Sequence, residues 1–325
     1  MGWMNAAHDS FANLRVVVIN LDETSIAKAY GRIKGTVMVP SAWKQCSALD
    51  VSEHANKSDM HTSISYVAMV ANDPLISAML PQVLVSSRRA VNRALEQEAD
   101  IMLGVRTHLW IRESAWLTQE IFLEVLELLL DALEDYQDYF GFILLVDACR
   151  VHLSVDVANK LLFAGIRIVV VPAKLTWLLQ TLDMHVFANF KSSLKKKFQA
   201  AAINSHDGQV QNVQWIASLA EGIKEVTQLD CSHAFNRNGL LGDPTNMKAV
   251  ELNVLSAHFI RDVGRQVPSL EAVAYSLGLK SVPWYNQVVG DLQNHLALQQ
   301  NWAQWADSGR PRVIVNVSAN NQEIV

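Results

Sequence analysis

Three aspartates in this 325-residue sequence stand where they could do chemistry together. Asp22 follows the apolar, β-branched run 16–21, Asp147 follows the run 142–146, and Asp183 opens a lysine-bearing segment. Carboxylates brought within a few ångströms of one another repel, and they stay ionised together only when a cation neutralises them. An oxygen-only ligand set suits Mg²⁺ or Mn²⁺. Two such ions can hold a scissile phosphate, one activating water and the other stabilising the leaving oxygen, the usual chemistry of polynucleotide cleavage. Strand-end caps and solvated acids remain the alternative reading. An acid in the first turn of a helix, as expected for Asp183, is also favoured by the helix dipole alone.

Glu23 is the rival of Asp22. Adjacent residues of a strand point to opposite faces, so only one of the two can look toward the other acids. Lys191, Lys195, Lys196 and Lys197 form the densest basic cluster, with Lys191 and Lys195 on one helical face. A run of lysines is often only a solvated face, but next to a catalytic helix it becomes a candidate phosphate contact with strong salt dependence. The tryptophans read mostly as packing residues, Trp110, Trp116 and Trp215 among them, while Trp177 lies near the third acid and could stack on a displaced base.

The elements that must hold these residues follow from periodicity. Short apolar runs ending at Asp22 and Asp147 read as buried strands, and further strand-like runs occupy 62–71, 82–86 and 105–112. The first half therefore reads as a β-rich layer of antiparallel strands. Helical spacing begins at 117–136, with Ile121, Val125, Leu128 and Leu129 on one face, and returns at 155–164, which Gly165 can close. A strand at 166–171 stopped by Pro172 and a helix over 182–201 complete the alternation. Strands joined by single helices should be parallel, so an α/β mixed sheet flanked by helices is expected. Helical patterns alone follow, at 211–227, 247–263, 269–278 and 284–305, with a short strand at 313–315. The expected division is a catalytic domain over 1–201 and a helical C-terminal extension and tail over 202–325. Neither an internal repeat nor a low-complexity tract is evident.

Half of the residues are hydrophobic and 18% are charged, enough for a large core and against disorder. The net charge of −5 means that any nucleic-acid footprint must be local. Cys46, Cys149 and Cys231 are odd in number and widely spaced, which suggests neither a disulfide framework nor a zinc ribbon and fits a reducing compartment. Charges interrupt the most apolar stretches, so no membrane span is expected, and the N-terminus lacks the pattern of a signal peptide or a myristoylation site.

Several blocks resemble DDE transposases of the mariner and pogo superfamily, of the pogo, Tigger and jerky type. Asn20-Leu21-Asp22-Glu23-Thr24 is similar to the Asn-x-Asp-Glu-Thr that carries that family's first acid. Leu144-Leu145-Val146-Asp147 with His152 five residues after the Asp resembles its second block. Val169-Val170-Val171-Pro172, then Leu179-Gln180-Thr181-Leu182-Asp183 and Phe190-Lys191, resembles its third. Asp147 and Asp183 lie 36 positions apart, close to the separation expected there. Weaker likenesses at Ser114-Ala115-Trp116-Leu117-Thr118 and Ala234-Phe235-Asn236-Arg237-Asn238-Gly239 extend the resemblance to about residues 14–242.

The resemblance implies an RNase H-like fold and a metal-binding catalytic triad of Asp22, Asp147 and Asp183. It also implies two Mg²⁺ or Mn²⁺ ions, double-stranded DNA as substrate, strand transfer after hydrolysis, and a nuclear protein of a transposable element. His152 falls on the family histidine and would contact DNA or orient a carboxylate, with a hydrogen-bonded structural histidine as the alternative. Ala148 replaces the usual Asn, Thr181 a Pro and Met184-His185 an Asp-Gln pair, changes in the support of the acids rather than in the acids. The stretch ahead of Asp22 is too short for helix-turn-helix domains, so a fragment, a truncated copy or a separate DNA-binding subunit enters the expectation, and a homodimer is expected apart from that. The competing readings are a domesticated, non-cleaving derivative that binds nucleic acid or protein, and an unrelated RNase H-like nuclease acting on RNA–DNA hybrids.

Overall fold

In a computed structural model, residues 4, 7–8, 10–11, 14–27, 63–149, 151–171, 176–204 and 210–241 are described. The β-branched run after Arg15 forms β1 (Arg15–Ala27), followed by β2 (Ser63–Ala71). Asp73 caps α1 (Pro74–Met79) by accepting from the amides of Leu75 and Ile76, with Pro74 in the first turn, where its missing N–H costs nothing. Next come β3 (Gln82–Ser87), α2 (Arg93–Leu103) capped by Asn92, and β4 (Thr107–Arg112). Thr118 caps α3 (Gln119–Leu133), which leads through a 3₁₀ turn into β5 (Phe140–Asp147). Ser154 caps α4 (Val155–Phe163), and Gly165, at φ 76°, takes the left-handed conformation that ends it before β6 (Arg167–Val171). After α5 (Thr176–Leu179), a π-helical turn over Leu182–Val186 runs directly into α6 (Phe187–Asn204). The last described elements are α7 (Asn212–Thr227) and α8 (Ser232–Arg237).

The six strands form one mixed sheet in the order β4-β3-β2-β1-β5-β6. β1 pairs antiparallel with β2, β2 antiparallel with β3, and β5 lies parallel to both β1 and β6. Alternation along β1 sends Val18 and Ile26 to one face and Val17, Ile19 and Leu21 to the other. Leu95 of α2, Phe187, Phe190 and Leu194 of α6, Trp215 and Leu219 of α7 and Phe235 of α8 cover the first face. Phe122, Val125 and Leu129 of α3 and Val157 and Leu161 of α4 cover the second, with Ile76 of α1. Both faces are thus buried under helices, as strands this uniformly apolar require.

The expected mixed sheet with flanking helices is what is found, and its order is consistent with an RNase H-like arrangement. Three particulars differ from the sequence reading. β4 is parallel to β3, so the first half is not wholly antiparallel; α2 makes the crossover. That helix is hard to see in sequence because only Leu95, Ala99 and Leu103 of its polar run are buried. Strand β1 does not stop at Asp22 but continues to Ala27, since β2 goes on pairing with it after β5 has left. The helix expected over 182–201 begins as a π turn and extends to Asn204.

Helices α7 and α8, beyond residue 201, pack into the same apolar cluster as the sheet. The expected helices at 247–263, 269–278 and 284–305 and the strand at 313–315 lie outside the described residues. Among the described residues no helix is long and apolar enough to cross a membrane.

Candidate active site

The pairing of β1 with β5 runs from Arg15 opposite Phe140 to Asn20 opposite Leu145. Continued by two residues, that register brings Asp22 level with Asp147, the last residue of β5. The two acids therefore flank the fork where β1 stays with β2 and leaves β5 behind. Asp22 shares the face of Val18 and Ile26, and Asp147 that of Ile143 and Leu145, the side covered by α6 and the π turn. Asp183 is the second residue of that turn, so all three acids belong to one side of the sheet.

Their electrostatics agree with this grouping. Asp22 is only 7% exposed and its carboxyl is pushed up to about 8, first by burial and then by the charges of Asp147, Asp183 and Glu23, against a hydrogen bond from the Glu23 amide at 2.9 Å. Asp183, more exposed, is raised by burial and by Asp147, while a hydrogen bond with Thr176 and the charge of Lys191 oppose the rise. Asp147 is half-buried, which pushes its carboxyl up, but His152 and the Cys149 amide overcome this and hold it below the ordinary carboxylate range. The His152 Nδ1 lies 2.7 Å from Asp147 Oδ1. An ionised carboxylate only accepts, so the imidazole donates there.

His152 is buried, its ring packed 4.5 Å centroid to centroid from Phe122, and its Nε2 is 3.9 Å from Glu23 Oε2. Neither Nε2 nor Glu23 Oε2 has a hydrogen-bond partner. Glu23 shares the strand parity of Ile19 and Leu21, the face opposite Asp22, as alternation predicts. Burial raises its carboxyl most, with Asp147 adding and His152 opposing.

Asn20, in the sequence no more than one member of a motif, proves central. It is fully buried, its Oδ1 accepts from the Leu182 amide at 2.8 Å, and its Nδ2 donates to the Leu145 carbonyl at 3.1 Å. The available signal was a lone amide in the otherwise apolar run 16–21, since buried polar groups are there to make hydrogen bonds.

The lysines separate. Lys191 lies near enough to Asp183 to act on its charge, and Lys195 and Lys196 follow on α6. The Nζ of Lys197 instead sits 2.6 Å from Glu221 and 3.2 Å from Glu225 on α7, so this lysine ties two helices together. Trp215 is buried as expected, but Trp116 is 81% exposed, contrary to a packing role. Trp177, 57% exposed on α5, stands just ahead of the π turn.

The donor set at the fork is all oxygen, and its mutual repulsion is what a hard divalent cation would relieve, so the residues fit such an ion in chemical kind. Among the described residues, however, no group of three or more His, Cys, Asp or Glu side chains is gathered tightly enough to hold a metal. The acids share one face and feel one another's charge without forming a closed cage.

Residues 79–237 match the family model described as DDE superfamily endonuclease. The matched segment includes Asp147 and Asp183 and begins after Asp22. No curated protein and no solved structure matches the chain.

Proposed function

We propose that this chain is a divalent-metal-dependent DNA endonuclease of transposase type, related to the pogo, Tigger and jerky elements, acting in the nucleus. The observation that carries the reading is the grouping of Asp22, Asp147 and Asp183 on one side of the β1–β5 fork, each of the other two acids raising Asp22. The family match over 79–237 supports the nuclease class independently. Asp22, Asp147 and Asp183 would hold Mg²⁺ or Mn²⁺, two ions in the family's manner. Bound there, the cations would supply the positive charge that cleavage of a phosphodiester requires.

The chain's own contributions are positional. His152 keeps Asp147 ionised and oriented, Asn20 fixes the segment that carries Asp183, and Lys191 adds positive charge beside that acid. Lys191, Lys195 and Lys196 are the candidate phosphate contacts, and Trp177 the candidate stacking surface. A homodimer or a separate DNA-binding subunit would bring the site to its target.

The deciding experiment incubates the purified chain with supercoiled plasmid and Mg²⁺ or Mn²⁺, beside Asp147→Ala. Metal-dependent nicking by the wild type and none by the variant is the expected result. Absence of nicking above the variant would sink the enzyme reading. It would favour a domesticated, non-cleaving relative, with which Ala148 in place of the family's usual Asn is also compatible. Cleavage confined to RNA–DNA hybrids would point instead to a nuclease of another kind.

A further inference from the structure

We propose that Asn20 is a positioning residue that clamps the segments of all three acids into one register. The inference rests on reading those acids as a cleavage site.

The position makes the residue unusual. On the same face of β1 Asn20 lies between Val18 and the buried Asp22, Thr24 and Ile26, and an apolar side chain would fill its fully buried site without desolvating an amide. What Asn20 gains is a set of contacts at the roots of the triad. Its Oδ1 accepts from the amide of Leu182, immediately before Asp183. Its Nδ2 donates to the carbonyl of Leu145, two residues before Asp147, and more weakly, at 3.4 Å, to that of Leu21, immediately before Asp22. The Leu182 amide can only donate, which fixes the oxygen on that side and leaves the NH₂ for the two carbonyls.

No other small side chain offers both an acceptor and two donors in one plane. Asp would keep the acceptor alone, Ser is too short to span the gap, and Leu has the volume without the bonds. The π turn begins at Leu182, so losing this bond frees the start of the only segment that carries the third acid.

The experiment uses the full chain as wild type, Asn20→Leu, Asn20→Ser and Asn20→Asp. Leu129→Ala, in the core on the opposite face of the sheet, controls for general loss of stability. Hydrogen exchange at the Leu182 amide is followed together with Mn²⁺-dependent plasmid nicking at saturating and limiting DNA. In Asn20→Leu, or in Asn20→Ser should the former fail to fold, the Leu182 amide is expected to exchange roughly tenfold faster, the gain expected for losing one buried hydrogen bond. The nicking rate at saturating DNA should fall by a similar or larger factor while DNA affinity holds, because the defect lies in acid placement. Asn20→Asp retains the acceptor and should keep the amide slow, and Leu129→Ala should move neither readout.

Equal exchange at Leu182 in all variants, or an equal response in Leu129→Ala, overturns the clamp. Nicking by Asn20→Leu as fast as by wild type also overturns it while leaving the nuclease reading intact. A wild type that never nicks, yet shows the expected exchange pattern, upholds the clamp and removes the nuclease reading.

Discussion

Asp22 carries a proton at neutral pH in the metal-free chain, because its folded value of about 8 lies far above the ordinary 3.8. In that interval the folded state holds a proton that the unfolded state has released. Stability contributed by the protonated form is therefore fully present below about pH 4 and is lost progressively as pH rises toward 8. Asp22→Asn should flatten this slope and raise the metal-free midpoint of unfolding near pH 8 by an amount worth a few kcal/mol, readable in thermal scans across that pH range. Mn²⁺ should recover stability in the wild type at pH 8 and do so far less in Asp22→Asn. His152 supports Asp147 from the opposite side, and His152→Phe removes its donor while keeping an aromatic ring against Phe122. Metal-dependent nicking should drop about ten- to a hundredfold, as when other groups that orient metal-binding residues are removed, with little change in secondary structure by circular dichroism. At this scale the sequence was informative where chemistry imposes a type and a position. Asp22, Asp147 and Asp183 stood out by their neighbours, and the opposition of Asp22 and Glu23 followed from strand parity. Asn20 did not stand out, because its role depends on a partner 162 positions away.

The strand β1 shows how an element can be recognised and its extent misread. Its first half is apolar and β-branched, whereas Glu23, Thr24 and Ser25 resemble loop residues. They remain in strand because β2 supplies a ladder partner as far as Ala27, a tertiary fact absent from local composition. Helix α2 is masked in the sequence for the converse reason: its polar surface outweighs a narrow buried stripe. By contrast α3, α4 and β5 were legible from periodicity and turn chemistry alone. Element packing also yields a test at Gly141 in β5, where an added Cβ would lie 2.3 Å from the Phe11 ring. Gly141→Ala should destabilise the chain by about 1–3 kcal/mol, the usual cost of forcing volume into a filled core, as measured by urea unfolding. Lys197 belongs to this scale as well. Its contacts with Glu221 and Glu225 are largely exposed, so Lys197→Ala should cost no more than about 1 kcal/mol.

For the molecule as a whole, a net charge of −5 opposes DNA, so the proposed binding has to come from local cations and to weaken steeply with salt. Removing Lys191, Lys195 and Lys196 one at a time should reduce the slope of log affinity against log salt by about one for each lysine that neutralises a phosphate, in fluorescence titrations across ionic strengths. Lys197→Ala should leave that slope unchanged. The topology of the sheet also bears on how the chain reaches its native state. β1 precedes its partners in the sequence and lies inside the sheet, and it waits for partners at 63–71 and 140–147 and then for the turn at Leu182. Closing such distant segments is entropically slow, as in other folds dominated by non-local pairing. The segments that carry Asp22, Asp147 and Asp183 lie far apart in sequence, so these acids meet only once β1, β5 and the turn at Leu182 have come together. Refolding should consequently have a late step that divalent cations accelerate, while the earlier collapse of the sheet proceeds at the same rate with or without them.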